Sequence, residues 1–182
     1  MRDCKSYELI DTFVKTRAEK YRSLAERNEY VQNRIDGVYK PTREEIDEYN
    51  DQFNKCSELA LEGEARVNSF INKLKVFELN QFMTLVKKYS KYREKEIDDL
   101  SVYMLPSFDE KVPIEKIEYY EMYERPSIKD LIYLIARAKG RLFGMSDEEA
   151  FAYASHEMEQ LIDIDILGIS LGELREKVKI RD

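Results

Sequence analysis

The chain has 182 residues, 37% of them charged and 43% hydrophobic, and a formal net charge of −7 at pH 7. With only 6 Gly and 4 Pro, this composition is typical of a soluble protein built from long amphipathic helices, and it excludes collagen-like, disordered and β-sandwich classes. The 2 cysteines give no disulfide framework or zinc pattern. No apolar run approaches the roughly 18 residues of a membrane span, and no signal segment follows the first residues, so we expect a cytoplasmic protein.

Residues 1–75 are predicted to form an antiparallel hairpin of two long helices. In the first helix, apolar or stripe-forming residues recur alternately four and three positions apart from Ile10 onward, and Gly37 supplies a left-handed cap. The second helix opens with a capping box of Thr42 and Glu45 and repeats the same spacing. The pattern therefore predicts one apolar seam on each helix, with the two seams facing each other.

The two seams also predict a register for this hairpin. A turn at residues 38 and 39 brings Tyr21 opposite Cys56 and Asn28 opposite Tyr49. A polar residue in a seam often sets register through a hydrogen bond, so we expect Asn28 to have this role. Cys56 is then a small core residue and has no redox function.

Residues 76–182 are predicted to form a compact, acidic helical subdomain. A helical face begins it, formed by Leu79, Phe82, Met83, Val86 and Tyr89. Residues 101–113 contain two prolines and no helical period, which predicts a loop or a short strand. Short helices are expected after it, with starts and stops at Pro113, Pro126, Ser127, Gly140, Ser146 and Ser170. The predicted fold class is therefore all-α, or nearly so.

Charge in the second half lies in blocks. Residues 94–124 contain 3 basic and 10 acidic residues, while 87–93 and 125–141 each carry +4. The acidic block also contains tyrosines, which supply rigid contact area with little rotamer entropy to lose. We predict that it contacts a partner through Glu94, Glu96, Asp98, Asp99, Asp109, Glu110, Glu118, Tyr119, Glu121 and Tyr123. The acidic block 147–165 is the second choice, and solvation of a helix face is the alternative role for each charge.

Catalytic chemistry finds little support. Residues 168–172 match the G-x-S-x-G nucleophile elbow, but no series of β-α units precedes Ser170, which is better explained as a helix cap. The single histidine, His156, lies before Ser170, which is the wrong order for such a triad. Asp98 with Asp99, and Asp163 with Asp165, could hold Mg²⁺, but no phosphate-binding glycine loop lies beside either pair. We expect no enzyme activity, no metal and no cofactor. We also expect no direct contact with nucleic acid and no membrane partner.

Acidic segments studded with tyrosine can occupy a groove lined by Lys and Arg, as nucleic-acid-binding enzymes offer. In size, acidity, helical build and the segments 94–100 and 115–124, the chain resembles the small phage-encoded anti-CRISPR proteins of the type II-A class. This resemblance implies a Cas9 inhibitor that binds the guide-loaded nuclease in the host cytoplasm. It implies blockage of the site that reads the protospacer-adjacent motif, or a helical wedge between the lobes of the enzyme.

A second resemblance gives an alternative function. A long hairpin followed by the segments 71–74, 85–89 and 96–100 resembles phage late-gene transcription regulators, which carry a sigma-like helix-turn-helix. Where that family presents a basic recognition helix, this chain has Pro106, Asp109 and Glu110. The resemblance implies DNA binding through a degenerate helix-turn-helix.

Overall fold

The structure, a computed structural model, describes residues 2–38, 40–102 and 114–156, and every regular element in these ranges is helical. The elements are α1 (Arg2–Ile35), α2 (Arg43–Asn72), α3 (Val76–Val102), α4 (Ile114–Tyr119), a π-helical turn (Tyr120–Glu124), α5 (Arg125–Lys129) and α6 (Leu131–Leu142). Residues 147–156 are helical as well. The predicted all-α fold class is confirmed. In the described ranges, no helix combines the length and the apolar content of a membrane span.

The predicted end of α1 and the predicted start of α2 are confirmed. Gly37 has φ +70°, so it supplies the left-handed conformation that ends the first helix. The capping box that opens α2 is complete, because the Glu45 amide donates to the Thr42 hydroxyl and the Thr42 amide donates to the Glu45 carboxylate. These local signals belong to residues three or four positions apart, which is why the sequence alone carries them.

The predicted register of the hairpin is wrong at its outer end. The rings of Tyr30 and Tyr49 are 4.4 Å apart, whereas Asn28 is exposed. Nearer the base, a Cβ built on Gly63 would lie 2.9 Å from the hydroxyl of Thr16. Thr16 and Tyr30 therefore mark the face of α1 that meets α2, and the predicted seam lies on a neighbouring face.

The predicted seam of α1 packs against the second half of the chain. Ile10 and Val14 are completely buried in a core that includes residues of α3, α5 and α6. Farther along the same face, the hydroxyl of Tyr21 donates to the carboxylate of Asp130. The apolar residues of the seam are buried where α3, α5 and α6 cover them. Beyond the reach of these helices, Val31 and Ile35 are exposed.

One hydrophobic core joins the two halves of the molecule. Its buried members from the hairpin are Ile10, Phe13, Val14, Val67 and Ile71. Those from α3 are Leu79, Phe82, Val86, Tyr89 and Ile97, which include four of the five residues predicted for that helical face. Helix α6 adds Leu131, Tyr133, Leu134, Ala136 and Ala138. By contrast, no described residue between Leu24 and Leu59 is buried, so the outer part of the hairpin extends beyond the core.

The second half departs from the predicted helix boundaries around Pro126. The helix that begins at Ile114 continues past Pro126. A π-helical turn precedes the proline, and in it the Arg125 amide donates to the Tyr120 carbonyl five residues back. The wider turn accommodates a residue without an amide hydrogen. Ser127 therefore lies inside the helix, where its buried hydroxyl donates to the Glu124 carbonyl at 2.7 Å instead of capping a new helix.

The end of α6 also differs from the prediction. Gly140 does not close this helix but is buried within it, and the left-handed residue is Gly144, with φ +81°. The next cap is confirmed, because the Glu149 amide donates to the Ser146 hydroxyl and the Ser146 amide donates to the Glu149 carboxylate. The predicted cap at Ser170 lies outside the described residues.

Candidate functional site

The acidic residues predicted as partner contacts occupy two helical segments, which the structure places side by side. Asp98 lies in the last turns of α3, and Glu121 lies in the π-helical turn. Both accept hydrogen bonds from Arg125, whose guanidinium lies 2.8 Å from each carboxylate. Arg125 therefore clamps the two acidic segments together, although its two partners are 23 positions apart in the chain.

A second arginine makes a similar clamp in the interior. Arg93 pairs with Glu96 on its own helix and with Glu124 at the end of the π-helical turn. Only 5% of Glu124 is exposed, and burial raises the pKa of its carboxyl group although Arg93 acts in the opposite direction. The guanidinium also lies 5.5 Å from the centre of the Tyr120 ring. This pair is part of the packed structure and is not available to a partner.

The two predicted tyrosine contacts connect the acidic segment to the hairpin. The hydroxyl of Tyr119 donates to Glu19 of α1 at 2.8 Å, and burial together with that carboxylate raises the pKa of Tyr119. The ring of Tyr123 contacts the ring of Tyr119 edge-on, with 5.5 Å between the centroids. Both side chains are half-buried, so their main contacts are internal.

Three of the predicted contacts remain directed at solvent. Glu94, Asp99 and Glu118 are exposed, and none of them has an ion pair with a residue that the structure describes. Glu94 lies one turn before Asp98, and Glu118 lies about one turn before Glu121, so both flank the Arg125 clamp. Met122, 60% exposed, lies one turn after Glu118. We call Glu94, Asp99, Glu118 and Met122 the acidic ridge.

The structure thus divides the predicted contact set. The acidic ridge retains three of the predicted residues; Glu96, Asp98, Glu121, Tyr119 and Tyr123 are engaged in the contacts given above. Asp109 and Glu110 lie outside the described residues. Of the second-choice block 147–165, the carboxylate of Asp147 accepts from Asn72 at 2.6 Å, and Glu149 is part of the capping box. Its residues from 157 onward lie outside the described part.

The sequence did not predict a buried polar cluster between the hairpin and α6. Asp130 is 7% exposed and accepts from the hydroxyl of Tyr21, while Arg17 lies 3.6 Å from it and also donates to Glu64 at 2.8 Å. Burial raises the pKa of Asp130, because its effect exceeds the opposing effect of Arg17. Arg17 and Tyr21 both lie in the predicted seam, and polar groups at core positions require buried partners. Their positions were therefore the signal in the sequence that could have predicted this cluster.

The described residues provide no metal-binding cluster. No group of three or more His, Cys, Asp or Glu side chains in the ranges 2–38, 40–102 and 114–156 is arranged to hold an ion. His156 is exposed at the end of the last described helical stretch. Ser170 and the G-x-S-x-G match lie outside these ranges.

Comparison with known proteins identifies no relative of this chain. The chain matches no protein-family model, no curated protein and no solved structure.

Proposed function

We propose that the protein is a non-enzymatic inhibitor or adaptor that binds a basic, nucleic-acid-handling protein through the acidic ridge. The resemblance to anti-CRISPR proteins implies that this partner is guide-loaded Cas9. The observation that carries the proposal is the Arg125 clamp, which joins the end of α3 to the π-helical turn. Exposed carboxylates that have no ion pair in the described ranges lie on both sides of it. The clamp holds the two helical segments that carry these carboxylates beside each other.

A fixed arrangement of the two segments matters because binding requires that mobile groups become ordered. Each immobilised, rotamer-rich side chain opposes association by roughly 0.5–1.5 kcal/mol. The exposed carboxylates still bear this cost, but the two segments that carry them do not have to be brought together on binding. The unpaired carboxylates attract a basic groove over a distance of about a Debye length, which accelerates encounter. Met122 adds an exposed apolar side chain beside Glu118, and desolvated apolar contact prolongs a complex.

Two modes of inhibition are compatible with this surface. In the first, carboxylates occupy positions where the partner binds phosphates or base edges, and the partner's arginines are no longer available for the protospacer-adjacent motif. In the second, the outer part of the hairpin, which extends beyond the core, separates moving parts of the partner. Binding through the acidic ridge is common to both modes.

Charge reversal of the acidic ridge tests the proposal. The variant Glu94→Lys/Asp99→Lys/Glu118→Lys is compared with the parent for co-elution with guide-loaded Cas9 and for inhibition of target cleavage. The three side chains are exposed and have no ion pair within the described ranges, so we expect the fold to be retained. We expect at least a tenfold loss of binding and inhibition.

The matched control is Glu48→Lys/Asp51→Lys/Glu58→Lys, which changes three exposed carboxylates of α2 by the same total charge. We expect the control to retain binding, because its charges lie outside the acidic ridge, through which the protein binds in both modes. Loss of inhibition with retained binding would assign the outer hairpin to the second mode. If both variants lose binding equally, net charge and not the acidic ridge is responsible. If the parent protein neither binds nor inhibits guide-loaded Cas9, this partner is rejected.

A further inference from the structure

The solvent face of α3 has a second charged surface of opposite sign. Between Glu78 and Glu94 the sequence contains no acidic residue. The apolar side of this stretch is buried in the core, and the opposite side presents Lys87, Lys88 and Lys91 to solvent. We call these three residues the lysine strip. They are one turn or less apart, so their charges add along one side of the helix.

The lysine strip makes no ion pair within the described ranges. None of its three ammonium groups has an ion pair with a carboxylate in the part of the chain that the structure describes, and this contrasts with Arg93 two residues later. Ammonium groups that stabilise a fold are found beside carboxylates, as Lys15 is beside Asp11 at 2.6 Å. The strip therefore adds positive charge without a carboxylate partner among residues 2–38, 40–102 and 114–156.

Exposed aromatic rings lie on the same side of α3 as the strip. Tyr92 is 61% exposed next to Lys91, and Phe77 is 70% exposed near the start of the helix. A shallow, open groove along this face of α3 extends from Phe77 as far as Lys88, one turn before Tyr92, and is lined by Phe77, Asn80, Gln81, Thr84, Leu85 and Lys88. The two rings are separated by about 22 Å along the helix axis, from a rise of about 1.5 Å per residue.

We propose that the lysine strip, with Tyr92 and Phe77, binds the backbone and bases of single-stranded nucleic acid. Proteins that bind single strands combine positive charge that follows the phosphates with aromatic rings on which bases stack. The exposed face of α3 provides both features, together with amide and hydroxyl side chains between them. A partner of the acidic ridge that carries nucleic acid would supply such a strand.

The exposed rings favour nucleic acid over an acidic protein. An acidic peptide would pair with the lysines but has no requirement for flat aromatic surfaces, whereas each base offers a π-face to Tyr92 or Phe77. Glu94 offsets part of the charge at one end of the strip, because it lies one turn from Lys91, about 4.5 Å along the axis. Lys87 is about 10 Å from Glu94, roughly one Debye length at moderate salt, so its charge is largely unaffected. Phosphates at the groove are farther still from those carboxylates.

Fluorescence anisotropy with a labelled oligothymidine of about 20 nucleotides tests this inference. We expect salt-dependent binding between about 50 and 200 mM NaCl. The variant Lys87→Glu/Lys88→Glu/Lys91→Glu should bind at least tenfold more weakly, and the slope of log K against log salt should fall by about 2, since three phosphate contacts are lost. Tyr92→Ala, which leaves all charges in place, should weaken binding about five- to hundredfold.

The control variant Lys40→Glu/Arg43→Glu/Lys55→Glu makes the same change of net charge at exposed hairpin positions, and we expect it to bind within a fewfold of the parent. Circular dichroism establishes that each variant is folded. Absence of salt-dependent binding by the parent, or equal losses in the two triple variants, overturns the proposal. Competition by polyglutamate together with normal binding by Tyr92→Ala assigns the strip to an acidic protein and also overturns it.

The inference does not depend on the proposed inhibitor function, and the two can fail separately. Charge reversal at Glu94, Asp99 and Glu118 should leave oligonucleotide binding intact or strengthen it, because negative charge near the strip is removed. The triple lysine variant should retain its contact with the basic surface of a protein partner. Loss of oligonucleotide binding in the acidic-ridge variant would overturn the assignment to the lysine strip.

Discussion

The guanidinium of Arg93 lies between the partly exposed carboxylate of Glu96 and the carboxylate of Glu124, and Arg93 and Glu124 are both buried. Burial of both charges has a desolvation cost that their attraction offsets only while both are present. Substitution of one partner leaves the other charged and buried. We therefore expect the fold to be less stable when only one of Arg93 and Glu124 is replaced than when both are replaced.

Arg93→Met should lower the free energy of unfolding by about 3–5 kcal/mol in urea denaturation, because Glu124 becomes an unpaired buried charge. The double variant Arg93→Met/Glu124→Leu should recover most of that loss, since neither charge remains. Arg125→Met is the control: its partners are more exposed, and we expect less than about 1 kcal/mol. If the effects of Arg93→Met and Glu124→Leu simply add, the two side chains are not coupled as described.

Asp130 should give the stability a measurable dependence on pH. Burial raises its pKa in the folded state above the ordinary value of 3.8, so the folded protein binds this proton more tightly than the unfolded chain. The resulting stabilisation is full below the unfolded pKa and is lost as the pH rises through the folded pKa. Its surroundings, Tyr21, Arg17, Glu64 and Lys20, all lie on the hairpin.

We therefore expect the difference in unfolding free energy between the parent and Asp130→Asn to shift in favour of the parent as the pH falls from about 7 to about 4. The asparagine cannot take up the proton, so its curve lacks this contribution. Denaturant titrations at several pH values provide the measurement. A difference that is constant with pH, or one that changes in the opposite direction, would contradict a raised pKa at Asp130.

At the scale of elements, the contact of α6 with the helical stretch 147–156 depends on a missing side chain. A Cβ built on Gly140 would lie 2.9 Å from the Cβ of Ala150 and 3.0 Å from its Cα. The second of these atoms belongs to the backbone, so a rotamer change cannot relieve the contact. Gly140 therefore allows the close approach of two helices and does not end one.

Gly140→Ala should lower the free energy of unfolding by about 1–3 kcal/mol, because the helices must separate. This loss is expected although alanine favours a helix interior by roughly 1 kcal/mol over glycine. Lys139→Ala, at the exposed neighbouring position, should change stability by no more than about 0.5 kcal/mol. A Gly140→Ala protein as stable as the parent would show that the two helices do not approach so closely.

At the scale of the whole molecule, the hairpin and the second half share their core. Ile10, Phe13 and Val14 of α1 are completely buried in a cluster that includes residues of α3 and α6. A hairpin without those helices would expose this apolar face to water. The outer part of the hairpin, where no described residue is buried, cannot compensate for this loss.

We expect a fragment of residues 1–75 to lose most of the helical circular dichroism that these residues have in the full chain and to show no cooperative thermal transition. The full chain should unfold in one transition by far-ultraviolet circular dichroism and by tyrosine fluorescence. A fragment that melts cooperatively near the temperature of the full chain would show that the hairpin is stable without α3 and α6.

The sequence by itself determined the properties that arise within one helix. Helical class, the capping boxes at Thr42 and Ser146, the left-handed Gly37 and the buried face of α3 all follow from residues no more than a few turns apart. Such signals depend on backbone hydrogen bonds and on the period of the helix, and these are the same in every fold. They are therefore visible without a structure.

Only the tertiary structure decided which helix covers each face and which charges are used internally. The seam of α1 was visible, but its contact with α3, α5 and α6 was not, because periodicity describes a face and not its neighbour. Likewise, nothing in the block 94–124 distinguished the buried Glu124 from the exposed Glu118. Their difference depends on Arg93 and on packing against α1, so it is fixed only when distant parts of the chain come together.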